Sequence, residues 1–101
     1  MQVSLTSKNI LLTDGLQAFI FSKLQKFSKF SSRGLSRIQV VLNIDRRKKG
    51  DTQDAVVELI GDMGGKPITV RDQGATFYQA FFGAITKMKS RLAKEKAKQY
   101  S

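Results

Sequence analysis

The residues of this chain best suited to chemistry are cations gathered on its last predicted helix, Thr76 to Lys98. Lys87, Lys89, Arg91, Lys94, Lys96 and Lys98 all fall within residues 87–98, and Glu95 is the one acid among them. A surface helix normally offsets such charges with acids at i,i+4 spacing. Most of these cations lack one, so the helix needs an anion from outside. The whole chain leans the same way, with 18 Lys+Arg against 8 Asp+Glu, a net charge of +10 and a pI near 10.2. Nucleic-acid phosphate is the polyanion that suits this imbalance. A lysine-rich helix end also complements the helix dipole, but that effect fades within a turn. The stripe Lys87, Arg91, Lys94, Lys98 keeps i, i+4, i+7, i+11 spacing over about three turns.

Other chemistries lack their residues. The chain has no histidine and no cysteine. The commonest general base, the commonest nitrogen ligand for metals and every thiolate site are therefore missing. The acids fall mostly at predicted helix starts, strand ends and turns, and no Gly-rich phosphate loop of the Walker or dinucleotide type occurs. An enzyme is not expected, nor a cofactor, a metal or a small-molecule substrate. No apolar run approaches the ~18 residues of a spanning helix, and Met1 to Leu5 alternates like a strand rather than opening a secretory signal. These features place the protein in the cytoplasm, away from the membrane.

The 101 residues suffice for one domain, set here at 1–95 with 96–101 as a short basic C-terminal tail. Gln2 to Ser7 alternates as a first strand. Thr13 caps a helix with Asp14 in its first turn. Leu16, Ile20, Leu24 and Phe27 share one arc of it, with Phe19, Lys23 and Phe30 on the shoulder. Ser31 to Gly34 ends it. Ser36 to Ile44 is a strand with Ile38, Val40, Leu42 and Ile44 on one face. Asp45 to Asp51 is a basic hairpin loop, and Asp54 to Ile60 a central third strand. Gly61 to Gly65 is a turn. Lys66 to Asp72 is a fourth strand, placed at an edge by Pro67, which lacks a ladder donor. Thr76 and Gln79 match a capping box for the last helix, whose apolar arc is Phe77, Phe81, Ile85, Met88 and Leu92.

The order β-α-β-β-β-α predicts an α+β two-layer domain. Its four-stranded sheet runs 1-2-3-4, with strands 1 and 2 parallel through a right-handed crossover and two helices on one face. The first helix carries Lys23, Lys26 and Lys29 with no acid after Asp14. Helices sharing a face can merge their basic edges into one positive surface. Lys23 has a second reading, in which its stem only covers core. Arg46 to Lys49 is either a solvated loop or a separate cationic tip. Phe21 and Phe82 fall off their arcs, and three uses stay open: stacking on bases, meeting a partner protein, or extending the core over a sheet edge.

Lys8 to Leu16 resembles the "KNIEVTDAL" opening of the ribosome hibernation-promoting factors, also called ribosome-associated inhibitors. The helix with Phe19, Lys23, Leu24, Lys26 and Lys29 is similar to the family's "YVEKKLSKLEK". Phe77 to Phe81, continuing through Ala84, Ile85, Lys87, Met88, Leu92 and Lys94, is similar to "MYAAID…AVDKLERQLRKHK". Gly64-Gly65 stands where the family carries a glycine turn. The resemblance implies a topology similar to double-stranded-RNA-binding domains. It also implies binding to the small ribosomal subunit and its rRNA at the decoding and tRNA channel. Basic helix surfaces would make that contact and inhibit translation in stress or stationary phase. By position Lys23, Lys26, Lys29, Lys87 and Lys94 inherit the RNA-binding role. Arg91 joins them on stripe and match together, Lys89 and Lys98 on the charge pattern alone. Leu11, Leu12 and Gly15 depart from the motif, and Phe21 and Phe82 stand where the family usually has charged residues. The length favours the family's short form. Three alternatives stand beside this one: a general structured-RNA-binding module acting away from the ribosome, a peripheral membrane protein, and an adaptor whose charge only aids solubility.

Overall fold

In a computed structural model of the protein, residues 1–8, 10–46 and 53–100 are described, with side chains over 1–8, 10–45 and 54–95. The elements run β1 (Gln2–Ser7), α1 (Asp14–Leu24), a 3₁₀ segment (Gln25–Arg33), β2 (Leu35–Arg46), β3 (Gln53–Met63), β4 (Lys66–Gly74) and α2 (Phe77–Tyr100). The sheet order is β1-β2-β3-β4, with β1 parallel to β2 and the other pairs antiparallel. This is the expected α+β architecture. The backbone of residues 96–100, set apart above as a tail, continues α2.

Local chemistry fixes both helix starts. Thr13 is extended, and its Oγ1 accepts from Leu16 N at 3.1 Å. Thr76 Oγ1 accepts from Gln79 N at 3.2 Å, while Gln79 Oε1 reaches back to accept from Ala75 N at 3.3 Å. The two threonine bonds satisfy donors that the first helical turn leaves without an intrahelical partner, and the Gln79 bond ties down the amide just before the cap.

The first helix is shorter than its apolar arc suggests. It ends at Leu24 and tightens into nine residues of 3₁₀ helix. Leu24, Phe27 and Phe30 recur every third residue, which is the 3₁₀ period, and all three are buried. Ser31 Oγ donates to Ser28 O and Ser32 Oγ to Lys29 O, at 2.8 and 3.4 Å. Such local side-chain bonds compete with the α-helical ladder. Gly34 closes the segment at φ 110°, and its carbonyl accepts from Gly64 N at 3.0 Å.

Three strands are longer than expected: β4 runs on to Gly74, and β2 and β3 lengthen for separate reasons. In β2 the pairing slips between Leu35 and Arg37, leaving Ser36 as an extra residue. This bulge flips the alternation, so Leu35 faces the core together with Ile38, Val40 and Leu42. β3 continues through Gly61, which belongs to the strand and not to the turn. A Cβ there would meet Leu35 Cδ1 at 3.3 Å and Met88 Cε at 3.6 Å, so the missing side chain lets α2 approach the sheet. The turn proper is Gly64-Gly65, with φ of 61° and 85° between the paired Met63 and Lys66. Positive φ at both central residues is the type I′ hairpin that two-residue connections prefer.

Both helices pack on the same face of the sheet. Leu16, Ile20, Leu24, Phe27 and Phe30 from one side join Ala80, Phe81, Ala84, Ile85, Met88 and Leu92 from the other over the inward faces of β2, β3 and β4. The opposite face exposes Gln2, Ser4, Thr6, Arg37, Thr69 and Arg71. Phe27 is wholly buried in the first turn of the 3₁₀ segment. Phe27→Ala should cost about 3–5 kcal/mol. Urea unfolding followed by far-UV circular dichroism should show the drop in midpoint, and an unchanged midpoint would mean the 3₁₀ segment is not part of the cooperative core.

Candidate nucleic-acid interface

The helices run in the same direction. α1 starts beyond the end of β1, where Lys8 N donates to Leu42 O at 3.0 Å, and the 3₁₀ segment finishes beside Gly64. α2 starts after Gly74, paired with Ala55 at that same sheet end, and passes Lys66 near its far end, where Lys66 Nζ meets Glu95 at 3.3 Å. The one acid among the helix cations is thus taken by a strand lysine.

The flank of α2 that faces α1 is marked by its aromatic contacts. Phe19 of α1 meets Tyr78 edge-on with ring centroids 4.8 Å apart, and Phe81 at 5.9 Å. Lys23 lies over the Phe19 ring at 5.6 Å. Lys23 is half-buried, and its ammonium lies on the flank of α1 where Phe19 meets α2. With three residues per 3₁₀ turn, Lys26 and Lys29 follow in Lys23's column. Both are exposed. Lys29 and Arg33 lie 5.4 and 5.6 Å from the Phe30 ring, at cation–π distance.

The cations of α2 do not form one surface. Residues two apart on an α-helix point about 200° apart. Lys89 falls on the shoulder with Tyr78 and Phe82, towards α1. Lys87, Arg91 and Lys94 fall on the other shoulder, towards the edge of β4. Lys87 Nζ donates to Arg71 O at 3.0 Å and pairs with Asp72 at 3.4 Å. The expected merging of both helices' basic edges therefore fails for the main stripe, because burial of the apolar arc rotates that stripe away from α1. Among the described α2 cations, only Lys89 joins Lys23, Lys26 and Lys29 across the inter-helix gap. Of the Arg46 to Lys49 loop, the backbone of Arg46 closes β2, while its side chain, the side chain of Lys98 and residues 47–49 lie outside the described residues.

Phe82 and Phe21 are 67% and 39% exposed, which removes core extension from their three readings. The charge pattern gave no sign of what holds Lys87. The cleft between β4 and α2 meets Arg71 at its backbone carbonyl, which accepts from Lys87 Nζ, while strand alternation turns the Arg71 side chain to the exposed sheet face, across the ladder from Glu58. Among the described residues, no three His, Cys, Asp or Glu side chains gather as a metal site, and no helix is long and apolar enough to cross a membrane.

Fold and charge together define a basic two-layer α+β domain that presents cations on open shoulders. The chain belongs to the family described as Sigma 54 modulation protein / S30EA ribosomal protein, whose profile matches residues 3–100. Among its relatives, the ribosome hibernation promoting factor of Escherichia coli (strain K12) is 30% identical over 98 residues, spanning 97% of this chain and 96% of that protein. The protein of the same name from Klebsiella oxytoca is 29% identical over the same share of each. A ribosomal subunit interface protein from Coxiella burnetii superposes with a TM-score of 0.82 at 18% identity, covering 96% of this chain and 99% of that one. The Protein Y N-terminal domain of Thermus thermophilus gives 0.75 at 22% identity, covering 93% and 98%. At such identities the two superpositions speak for the fold.

Gly83 supplies a test of the β4 shoulder. A Cβ at Gly83 would fall on the Asp72 carboxylate, which lies against the helix where a side chain would otherwise be. An exposed helical Gly→Ala change usually gains up to ~1 kcal/mol. Gly83→Ala should forfeit that gain in the parent protein and recover about 1 kcal/mol of it in an Asp72→Ala background. Urea melts of the four proteins measure the coupling, and equal effects in both backgrounds would show that the carboxylate does not occupy the notch.

Proposed function

We propose that this protein is a ribosome hibernation factor that binds the small ribosomal subunit and holds back translation when growth stops. The observation that carries the reading is the column of Lys23, Lys26 and Lys29 facing Lys89 across the gap between parallel helices, in a chain whose relatives are ribosome hibernation promoting factors. Lysines in a column contact successive phosphates as point charges and do not read base sequence. Recognition must then come from the shape of folded RNA, which suits a structured rRNA channel of the kind where mRNA and tRNA sit. Occupying such a channel blocks translation sterically, with no chemical step. The place of action is the cytoplasm. Lys87, Arg91 and Lys94 add phosphate contacts from the other shoulder of α2. Phe82, exposed on the same shoulder of α2 as Lys89, offers its ring to a splayed base or a partner protein, and Phe21 offers a second exposed ring.

About six phosphate contacts predict a fall in affinity of roughly 10³ between about 50 and 200 mM salt. Cosedimentation with purified small subunits should show that slope. Lys26→Glu, Lys29→Glu and Lys89→Glu together should abolish cosedimentation while leaving the thermal midpoint within a few degrees. Undiminished cosedimentation of the triple variant would sink the reading. Equal affinity for a generic RNA duplex and for small subunits would favour a general RNA-binding module acting away from the ribosome.

A further inference from the structure

The 3₁₀ segment ends in a cation that lies off the lysine column. Leu24, Phe27 and Phe30 recur every third residue on the buried side, and Arg33 is the next residue in that series. Arg33 is half-buried, so its stem continues the cover over the core and its guanidinium emerges where the segment stops. Its Cζ lies 5.6 Å from the centroid of the Phe30 ring, and Lys29 Nζ lies 5.4 Å from the same centroid. Phe27 occupies another side of that ring, with centroids 6.1 Å apart. Two cations are thus held to one ring, no more than about 11 Å from each other.

Among the described residues, neither Lys29 nor Arg33 enters an ion pair. The described acids at this end of the sheet are engaged elsewhere. Asp62 Oδ1 accepts from Gly65 N at 2.9 Å, and Glu95 meets Lys66 at 3.3 Å. Like charges this close repel, and an anion set between them turns that cost into attraction. A guanidinium fork and an ammonium together match the several acceptor oxygens of a phosphate. The approach is open. Gly34 O accepts from Gly64 N at 3.0 Å, which sets the Gly64-Gly65 turn beside Arg33, and a Cβ on either turn glycine would meet nothing within 4 Å.

We infer that Lys29 and Arg33 form a phosphate clamp on the Phe30 ring, with Arg33 as a further RNA-binding residue and Phe30 as the positioning residue for both cations. The clamp sets the path of the RNA at the end of the column. Lys26 and Lys29 stand about 6 Å apart along the segment. Arg33 lies four residues beyond Lys29, about a third of a turn off the column and towards the sheet. A strand that follows the column and also meets Arg33 must bend towards the Gly64-Gly65 turn. This rests on the RNA-binding reading above and adds to it a residue and a required bend.

The test measures binding of the full chain and its variants across a salt series, with thermal midpoints recorded for each. The two probes are purified small subunits and a structured RNA hairpin unrelated to the ribosome. Arg33→Met keeps the apolar cover and removes the charge, so it should lower the magnitude of the slope of log affinity against log salt by about 1 at an unchanged midpoint. Arg33→Lys should keep the slope, because charge persists without the fork. If Arg33→Met lowers the midpoint, Arg33→Gln repeats the comparison. Phe30→Leu leaves both charges in place but frees them, so it should keep the slope and weaken binding about 2- to 5-fold, and Phe30→Tyr should restore affinity. Hydroxyl-radical footprinting on subunits should show Arg33→Met and Lys29→Gln exposing adjoining nucleotides. A parental slope in the neutral Arg33 variants would overturn the binding role. Undiminished affinity in Phe30→Leu, or equal loss in Phe30→Tyr, would overturn the positioning role. Exposure of well-separated nucleotides would overturn the clamp. If the parent binds the hairpin but not subunits, the ribosomal reading fails, and the hairpin slope alone decides the clamp. Binding to neither probe overturns both.

Discussion

The rotation of α2 about its own axis decides what this surface can do. Ala80, Phe81, Ala84, Ile85, Met88 and Leu92 are buried, and once that arc faces the sheet every other side chain on the helix has a fixed heading. Two glycines let the helix settle at that depth. Gly61 clears room on β3 for Met88, and Gly83 leaves a notch that the Asp72 carboxylate fills. Burying large apolar side chains is worth about 1.5–3 kcal/mol each, far more than any one exposed charge contact. Packing therefore sets the rotation, and the cations take the headings that packing leaves them. Lys89 goes to the α1 side, while Lys87, Arg91 and Lys94 go to the β4 side.

The opposite wall of the inter-helix gap follows from a change of helical period. An α-helix carried on through Phe30 would turn Lys26 and Lys29 progressively off the line of Lys23. The 3₁₀ segment eclipses residues three apart, so the same sequence spacing that buries Leu24, Phe27 and Phe30 lines up the lysines beside them. Serine hydroxyls bonded to carbonyls three residues back favour the tighter turn. The core and the cationic column thus share one cause.

Much of this was legible in the sequence, and the failures have physical origins. Alternation in β1 and β2, the threonine caps and Pro67 at the sheet edge lead to the strand order, and the apolar arcs name the buried helix residues. The bulge at Ser36 escaped because alternation broken by one residue looks like the end of a strand. Gly61 read as a turn because glycine in a strand and glycine in a turn look alike until the approaching helix is known. The 3₁₀ segment was present as a three-residue repeat, but Leu16, Ile20 and Leu24 set an α-helical expectation that Phe27 also satisfies. The site was less legible than the fold. A stripe on a helical wheel shows which cations share a flank, while the neighbour that the flank meets is a tertiary fact. Lys87 is the clearest case, since nothing local ties its ammonium to a strand carboxylate and a strand carbonyl fifteen and sixteen positions earlier.

Separating the positive charge into two lines changes what it can recognise. One continuous basic face binds any polyanion in proportion to its charge density, and salt weakens all such binding alike. Two lines held apart by a packed helix add a distance requirement. A flexible single strand satisfies both only by folding round α2, which costs conformational entropy for every nucleotide ordered. A folded RNA that already holds two backbone stretches at that spacing avoids this cost, so pre-organisation on both sides converts charge into recognition of shape. The rigid element that enforces the spacing is α2, and its rigidity comes from the buried arc. Loosening Met88 or Leu92 should therefore erode discrimination between folded and linear RNA before it erodes total affinity, because every cation would remain while the distance between the two lines would no longer be fixed.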